Sequence, residues 1–282
     1  MSEKVQSKLN SLQVLPVGGG SINECYRLTI DDNRSFFLKL NIAKKFPGLF
    51  EKETNGLNFL ASQKIIKCPE VFFISTINDQ QLLILEWIDT GIKTNSFWKI
   101  FGEKLAQLHQ VTNTDFGFAE DNYMGALPQH NAFTTSWIEF FTNQRLRPQT
   151  ELAMRKNLLD KQHLARFERL YANLQDIFEE ENPSLLHGDL WSGNFLCDEK
   201  SGPVLIDPAV YFGNRNIDLA MTTLFGGFDK AFYDSYHYHF PFPKNYQDQW
   251  SICNLYPLLI HLNLFGSGYL YDIETVLKKF TA

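Results

Sequence analysis

Residues 184–195 read SLLHGDLWSGNF. His187, Asp189 and Asn194 fall in the pattern H-x-D-x-x-x-x-N, which sets an acid and a carboxamide five positions apart on a stretch broken by Gly188 and Gly193. Aspartate and asparagine cap turns and loops routinely, so the string by itself has a purely structural reading. The residues on either side decide between that reading and chemistry.

Immediately downstream, NFLCD and PVLIDP are short apolar runs around the turn EKSG, the pattern of a hairpin whose second strand ends on another acid, Asp207. Upstream, residues 1–86 are strand-rich: LQVLPV, ECYRLTI and SFFLKL are separated by the turn signals GGGSIN and DDNR. Between Pro47 and Ser62 the apolar positions Phe50, Leu57 and Leu60 recur at helical spacing, and the strands VFFIST and QLLILEW follow around NDQ. That makes five strands and one helix. Beyond EWIDTG the pattern is mostly helical, with Phe97, Phe101, Leu105 and Leu108 marking one amphipathic face and Leu164, Phe167, Tyr171, Leu174 and Phe178 another.

Alternation along SFFLKL sends Lys39 to the same face as Phe37, and Glu53 sits three after Phe50 and four before Leu57, on the apolar stripe that faces the sheet. An unpaired buried charge costs on the order of 3–5 kcal/mol, so the two predict an ion pair from strand to helix. The glycines of GGGSIN, Gly18, Gly19 and Gly20 with Ser21 beside them, would let backbone N–H groups approach a phosphate chain. The ordered set of Lys39, Glu53, H-x-D-x-x-x-x-N and Asp207 is that of kinase chemistry. In it Asp189 takes the proton of the attacking alcohol, Asn194 and Asp207 hold Mg²⁺, and Lys39 grips the phosphates of ATP. The expected architecture is α+β and protein-kinase-like in two lobes: a small antiparallel-sheet lobe with one main helix (1–87), which binds nucleotide, and a larger, mostly helical catalytic and acceptor-binding lobe (88–282).

The sequence resembles the fructosamine kinase, or ketosamine kinase, family of the aminoglycoside-phosphotransferase branch. It does so in LLHGDLWSGN, DPAVYFGNRNIDLA, NYMGALPQHNAFTTSWIEFFTNQRLRPQTELA, LFGGFDKAFYDSY and HLNLFGSGY, over nearly the whole chain. The resemblance implies phosphorylation of the third-carbon hydroxyl of a ketosamine carried by a small amine or a protein lysine, a deglycation repair. By position it assigns Asp189 as base, Asn194 and Asp207 as Mg²⁺ ligands, and Lys39 with Glu53 as the phosphate-gripping pair. It further assigns Glu86, Trp87 and Ile88 to the adenine-binding hinge, and Trp191, His261 and Tyr269 to the acceptor pocket. Asp218 is expected to steady the catalytic loop through backbone N–H groups rather than to react. Where many eukaryotic members carry a cysteine in the glycine-rich loop this chain has Ser21, with Cys25 a few residues on. Gly188 replaces the arginine of the protein-kinase HRD, DPA replaces DFG, and no APE follows, which predicts a constitutively formed site for a small alcohol.

Composition narrows the field. A formal charge of −6 and a pI near 5.7 argue weakly against nucleic acid or an anionic membrane as partner, while leaving room for a local basic cleft. The start MSEKVQSKLN lacks a secretory apolar core and no apolar run approaches the roughly 18 residues of a membrane span, so the expected location is cytoplasmic. Four scattered cysteines without C-x-x-C predict free thiols, and His237 with His239 forms an isolated pair better suited to packing than to a metal. Other readings of the same residues are a kinase for an aminoglycoside, choline or a sugar, or a pseudokinase that binds ATP without turnover.

Overall fold

The computed structural model describes residues 12–18, 22–30 and 34–281. The first five strands form one antiparallel sheet: β1 (Gln13–Pro16), β2 (Glu24–Ile30), β3 (Arg34–Ile42), β4 (Val71–Ile77) and β5 (Gln80–Glu86), in the order β1-β2-β3-β5-β4. Asn78 and Asp79 both take positive φ, the conformation that tight two-residue hairpins require, and so join β4 to β5 in register. Helix α1 (Leu49–Ser62) buries Phe50, Leu57 and Leu60, the three residues whose spacing predicted it. It is also tied down at its outer side. The Lys52 ammonium donates to the Asp121 carbonyl, Asn55 Nδ2 donates to Glu120 Oε1 at 2.8 Å, and Gly56 lies against the side chains of Pro208 and Val210.

Beyond the sheet, α2 (Asn95–His109) starts on Thr94, whose hydroxyl accepts the Phe97 N–H at 3.3 Å, and buries Phe97, Phe101, Leu105 and Leu108. Helices α3 (Trp137–Phe140) and α4 (Arg147–Arg155) are joined through a π-helical stretch, Phe141–Leu146. Then follow α5 (Lys161–Asn173), α6 (Asn216–Leu224), α7 (Lys230–His239), α8 (Tyr246–Cys253), α9 (Leu255–Phe265) and α10 (Leu270–Thr281). Among the described residues three two-stranded ribbons of three-residue strands punctuate these helices. They are β6 (Asn122–Met124) with β7 (Leu127–Gln129), β8 (Ser184–Leu186) with β11 (Tyr211–Gly213), and β9 (Phe195–Cys197) with β10 (Pro203–Leu205).

Two apolar clusters organise the molecule. One is built around Phe140, Phe167, Leu170, Tyr256 and Leu259 among the helices. The other runs from Leu57 and Leu83 under the sheet through Phe97 and Phe101 to Phe195 and Val210, so the sheet and the β9–β10 ribbon share one core. That shared core fixes the ribbon relative to β3, the precondition for any site between them. His237 Nδ1 accepts the Phe242 N–H and its ring lies 4.9 Å from that phenylalanine, while His239 Nδ1 donates to the Ser235 carbonyl. Among the described residues no group of three or more histidine, cysteine or acidic side chains could hold a metal, and no helix is long and apolar enough to cross a membrane. All four cysteines are free thiols.

Candidate active site

Lys39 stands in the middle of β3, opposite Cys25 on β2 and Leu83 on β5, with its side chain 2% exposed. Its ammonium donates to Glu53 Oε1 on α1 at 2.6 Å and to Asp207 Oδ1 at the end of the β9–β10 ribbon. Burial alone would lower the lysine pKa. The Asp207 and Glu53 carboxylates outweigh that and hold it above the ordinary lysine value, so Lys39 is a cation. Glu53 is almost wholly enclosed, whereas the Asp207 side chain is 43% exposed and opens toward solvent.

Asp207 has φ of 54°, the left-handed region that a residue with a Cβ seldom adopts. Such strain, of order 1–3 kcal/mol, persists only where neighbouring bonds enforce it. On its N-terminal side the Ile206 N–H donates to the Asn194 carbonyl at 3.1 Å and the Ile206 carbonyl accepts from His187 Nε2 at 2.9 Å. On its C-terminal side the Ala209 N–H donates to the His187 carbonyl at 2.8 Å.

The loop after β8 is held from beneath. Asp218, in the first turn of α6 and fully buried, accepts the N–H groups of His187 (2.7 Å) and Gly188 (2.9 Å), one on each carboxylate oxygen. Asp218 Oδ2 also meets His109 Nε2 at 3.2 Å, and His109 Nδ1 meets the Tyr236 hydroxyl at 2.8 Å. Burial lowers the pKa of His109 and of His187, so both rings are neutral donors and acceptors. In His187, Nε2–H reaches Ile206 and Nδ1 accepts the Asp189 N–H at 3.2 Å, which locks the start of the loop to the end of β10. Gly188 explains itself: φ is +85° and an added Cβ would lie 2.0 Å from the Ala209 carbonyl oxygen, so no larger residue fits where protein kinases carry arginine.

At the tip of this loop Asn194 Nδ2 donates both to the Asp189 carbonyl and to Asp189 Oδ2, each at 2.9 Å. The asparagine is buried, and its Oδ1 accepts no hydrogen bond among the described residues. Burial, reinforced by the negative charge of Asp207, pushes the Asp189 carboxyl up to about 7, against the pull of the Asn194 hydrogen bond. Lys39, Asp207, Asn194 and Asp189 are thus brought together by contacts that run from one to the next. The set combines a buried cation, a half-open carboxylate, an amide oxygen without a partner and a carboxylate poised to take a proton. Hard oxygen donors of this kind suit a divalent cation that keeps waters and phosphate oxygens in its shell.

Of the residues expected in the acceptor pocket, Trp191 folds its ring over Gly193 and is half-buried against the helical core. His261 and Tyr269 lie with ring centres 5.0 Å apart. Phe225, which sequence reasoning did not single out, connects them: its ring is 5.9 Å from Trp191 in an edge-to-face arrangement and 4.9 Å from His261. His261 Nδ1 donates to the Pro257 carbonyl, and burial lowers its pKa, which leaves an uncharged aromatic wall.

On the opposite side, Glu86 closes β5 with its N–H given to the Glu70 carbonyl and its carboxylate 2.7 Å from the Lys67 ammonium. The Arg27 guanidinium stacks 4.5 Å above the Trp87 ring, and Ile88 is buried. Gly18 has nothing within reach of a Cβ, while Gly19, Gly20 and Ser21 lie outside the described residues. The far end of that loop is anchored by Asn41, another residue the sequence reading passed over. Its Nδ2 donates to the Ile22 carbonyl at 3.0 Å and to Asn23 Oδ1 at 2.6 Å. The signal was available, because Asn41 shares the alternating face of Lys39.

Comparison with known proteins gives the same picture. The family model described as fructosamine kinase matches residues 1–282. The chain is 39% identical over 277 residues to a probable ketoamine kinase of Enterococcus faecium, covering 97% of this chain and 96% of that protein. It is 36% identical over 274 residues to a chloroplastic protein-ribulosamine 3-kinase of Oryza sativa subsp. japonica, covering 95% and 78% respectively. The crystal structure of a Haemophilus somnus 129PT protein described as a fructosamine-3-kinase superposes with a TM-score of 0.87 at 26% identity, over 100% of this chain and 96% of that one. At 13% identity an ADP-bound aminoglycoside phosphotransferase shares the fold, with a TM-score of 0.65. With the acid, amide and lysine of the sequence motif seen to converge in space, the chain belongs to the fructosamine kinase family, phosphotransferases that act on an alcohol group of a ketosamine.

Proposed function

We propose that this protein transfers the γ-phosphoryl group of Mg²⁺-bound ATP to the third-carbon hydroxyl of a ketosamine, on a small amine or a protein lysine. The observation that carries the reading is the convergence of Lys39 from β3, Asp189 and Asn194 from the loop after β8, and Asp207 from the end of β10. Asp189 accepts the proton of the attacking hydroxyl, whose oxygen bonds to the γ-phosphorus as the bond to the departing ADP oxygen breaks. Its elevated pKa suits that task near neutrality. Lys39, kept cationic by Glu53, meets the phosphate chain, and Gly18, Gly19, Gly20 and Ser21 cover it. The backbone of Glu86, Trp87 and Ile88 borders the adenine. Asn194 and Asp207 hold the Mg²⁺, which when bound offsets phosphate charge.

Trp191, His261 and Tyr269 form the acceptor wall, where aromatic faces lie against the apolar side of a sugar and attract the ketosamine's ammonium. Phosphorylation at that carbon turns the adduct into one that breaks down and releases the free amine, a repair of glycation. Free thiols in every cysteine support a reducing, cytoplasmic setting. A coupled assay of ADP release across ribulose, erythrulose and fructose adducts of lysine, beside choline and aminoglycosides, tests the reading. Turnover with at least one lysine adduct and none with the other two groups is expected, and turnover confined to choline or aminoglycosides overturns it.

A further inference from the structure

The Asp207 backbone is strained, and the bonds that enforce the strain reach back to a residue outside the set of Lys39, Glu53, H-x-D-x-x-x-x-N and Asp207. Gln129 ends β7 with 1% of its surface exposed, and its carboxamide is fully engaged. Nε2 donates to Asn122 Oδ1 at 2.8 Å and to the Ala209 carbonyl at 3.1 Å, while Oε1 accepts the Tyr256 hydroxyl at 2.9 Å. Asn122, its partner in register across the β6–β7 ribbon, donates Nδ2 to the Val210 carbonyl at 2.8 Å. Two successive carbonyls downstream of Asp207 are therefore read by side chains of one small ribbon. The intervening Pro208 has a ring-fixed φ and no N–H to give. With the Ala209 N–H already on the His187 carbonyl, the chain leaving Asp207 is bonded on both sides within two residues.

We propose that Gln129 is a positioning residue for Asp207. Through the Ala209 carbonyl it enforces the left-handed backbone that aims the Asp207 carboxylate, and Tyr256 braces it from α9. The segment that follows the metal-binding acid is thereby clamped rather than free to rearrange. This rests on the reading of Asp207 as a metal ligand. Groups that orient a ligand from behind typically change metal affinity by about 10–100-fold when removed.

The test uses the full chain with ADP and Mn²⁺, the bound ion followed by its electron paramagnetic resonance, beside the KM for ATP and kcat with Mg²⁺. Gln129→Leu removes every bond of the carboxamide, Gln129→Glu keeps only the oxygen that faces Tyr256, and Tyr256→Phe removes only the brace. Leu258→Ala is a buried control whose side chain makes no hydrogen bond to any of them. Gln129→Leu is expected to weaken Mn²⁺ binding by about ten-fold or more. Gln129→Glu, which loses the same donor to the Ala209 carbonyl, should weaken it about as much, Tyr256→Phe should weaken it less, and Leu258→Ala should lower the Tm without moving it. A folded Gln129→Leu protein with wild-type Mn²⁺ affinity, or a control that weakens the ion equally, overturns the proposal. Should Gln129→Leu not fold, wild-type affinity in Tyr256→Phe and Gln129→Glu overturns it instead. Failure of the wild-type protein to bind Mn²⁺ with ADP removes the metal role of Asp207 itself, whereas wild-type binding with unaffected variants removes only the role of Gln129.

Discussion

Lys39 and Asp189 reach the same site by different means. Lys39 sits mid-way along a nine-residue strand flanked by β2 and β5, where ladder hydrogen bonds on both sides dictate which way each side chain points. Asp189 sits on a loop that leaves a three-residue strand, and its position depends on Asp218, His187 and Asn194, side chains that bond to backbone. A sheet distributes the task of orientation over many equivalent bonds. A loop concentrates it in a few side chains, each of which is then hard to replace.

The comparison can be broken or sharpened by substitution. The largest effect is expected at the loop acid: Asp189→Asn preserves shape and the Asn194 contact but removes the proposed proton acceptor. Turnover should fall by about 10²–10⁴-fold with little change in Tm, measured as ADP release. Near-normal turnover would show that the loop's arrangement serves structure alone. Next comes the strand lysine. Lys39→Met leaves the Glu53 and Asp207 carboxylates facing one another without their cation, which should cost about 3–5 kcal/mol in urea unfolding. Adding Glu53→Gln should recover part of it, and a double variant no more stable than the single would mean that the ion pair is not the source.

Gly188→Ala tests whether the loop is as unforgiving as its contacts imply. Placing a Cβ residue at φ of +85° costs roughly 1–3 kcal/mol before the clash with the Ala209 carbonyl is counted. A Tm within a degree of wild type would contradict the close approach. The smallest effect concerns the support beneath the loop. His109 is neutral in the folded protein because burial lowers its pKa below the ordinary value of about 6.5. Above that pH neither state binds the proton and His109 contributes no pH dependence. As the pH falls through it the unfolded chain takes up a proton that the folded chain refuses, so stability declines until the folded-state pKa is reached. Tm measured from pH 8 to 5 should fall at the acid end, and His109→Gln should flatten that fall.

The same contrast explains what was legible in the sequence. The five strands, helix α1 and the Lys39–Glu53 pair follow from alternation and helical spacing, because a single local period determines both secondary structure and facing. Asp218 was legible as a support because an acid near a helix start has few other uses. Gln129 and Phe225 were not, and Asn41 was legible only as a polar side chain on the face of Lys39. Gln129 meets the Ala209 carbonyl 80 positions away, and nothing local in NYMGALPQHN distinguishes an amide that reads a distant backbone from one that faces water. The π-helical stretch at Phe141–Leu146 carries no glycine or proline to announce it and is set by tertiary packing around Phe140 and Phe141.

Helix α1 rests its Gly56 on Pro208 and Val210, and Lys52 and Asn55 fasten its outer side to residues 120–121. A small molecule designed to wedge this helix aside, or to occupy space vacated by a flipped acidic segment, would have to tear out several bonds before finding room. Selective inhibitors of this protein are better sought where the rings of Trp191, Phe225 and His261 line the proposed entrance for the alcohol.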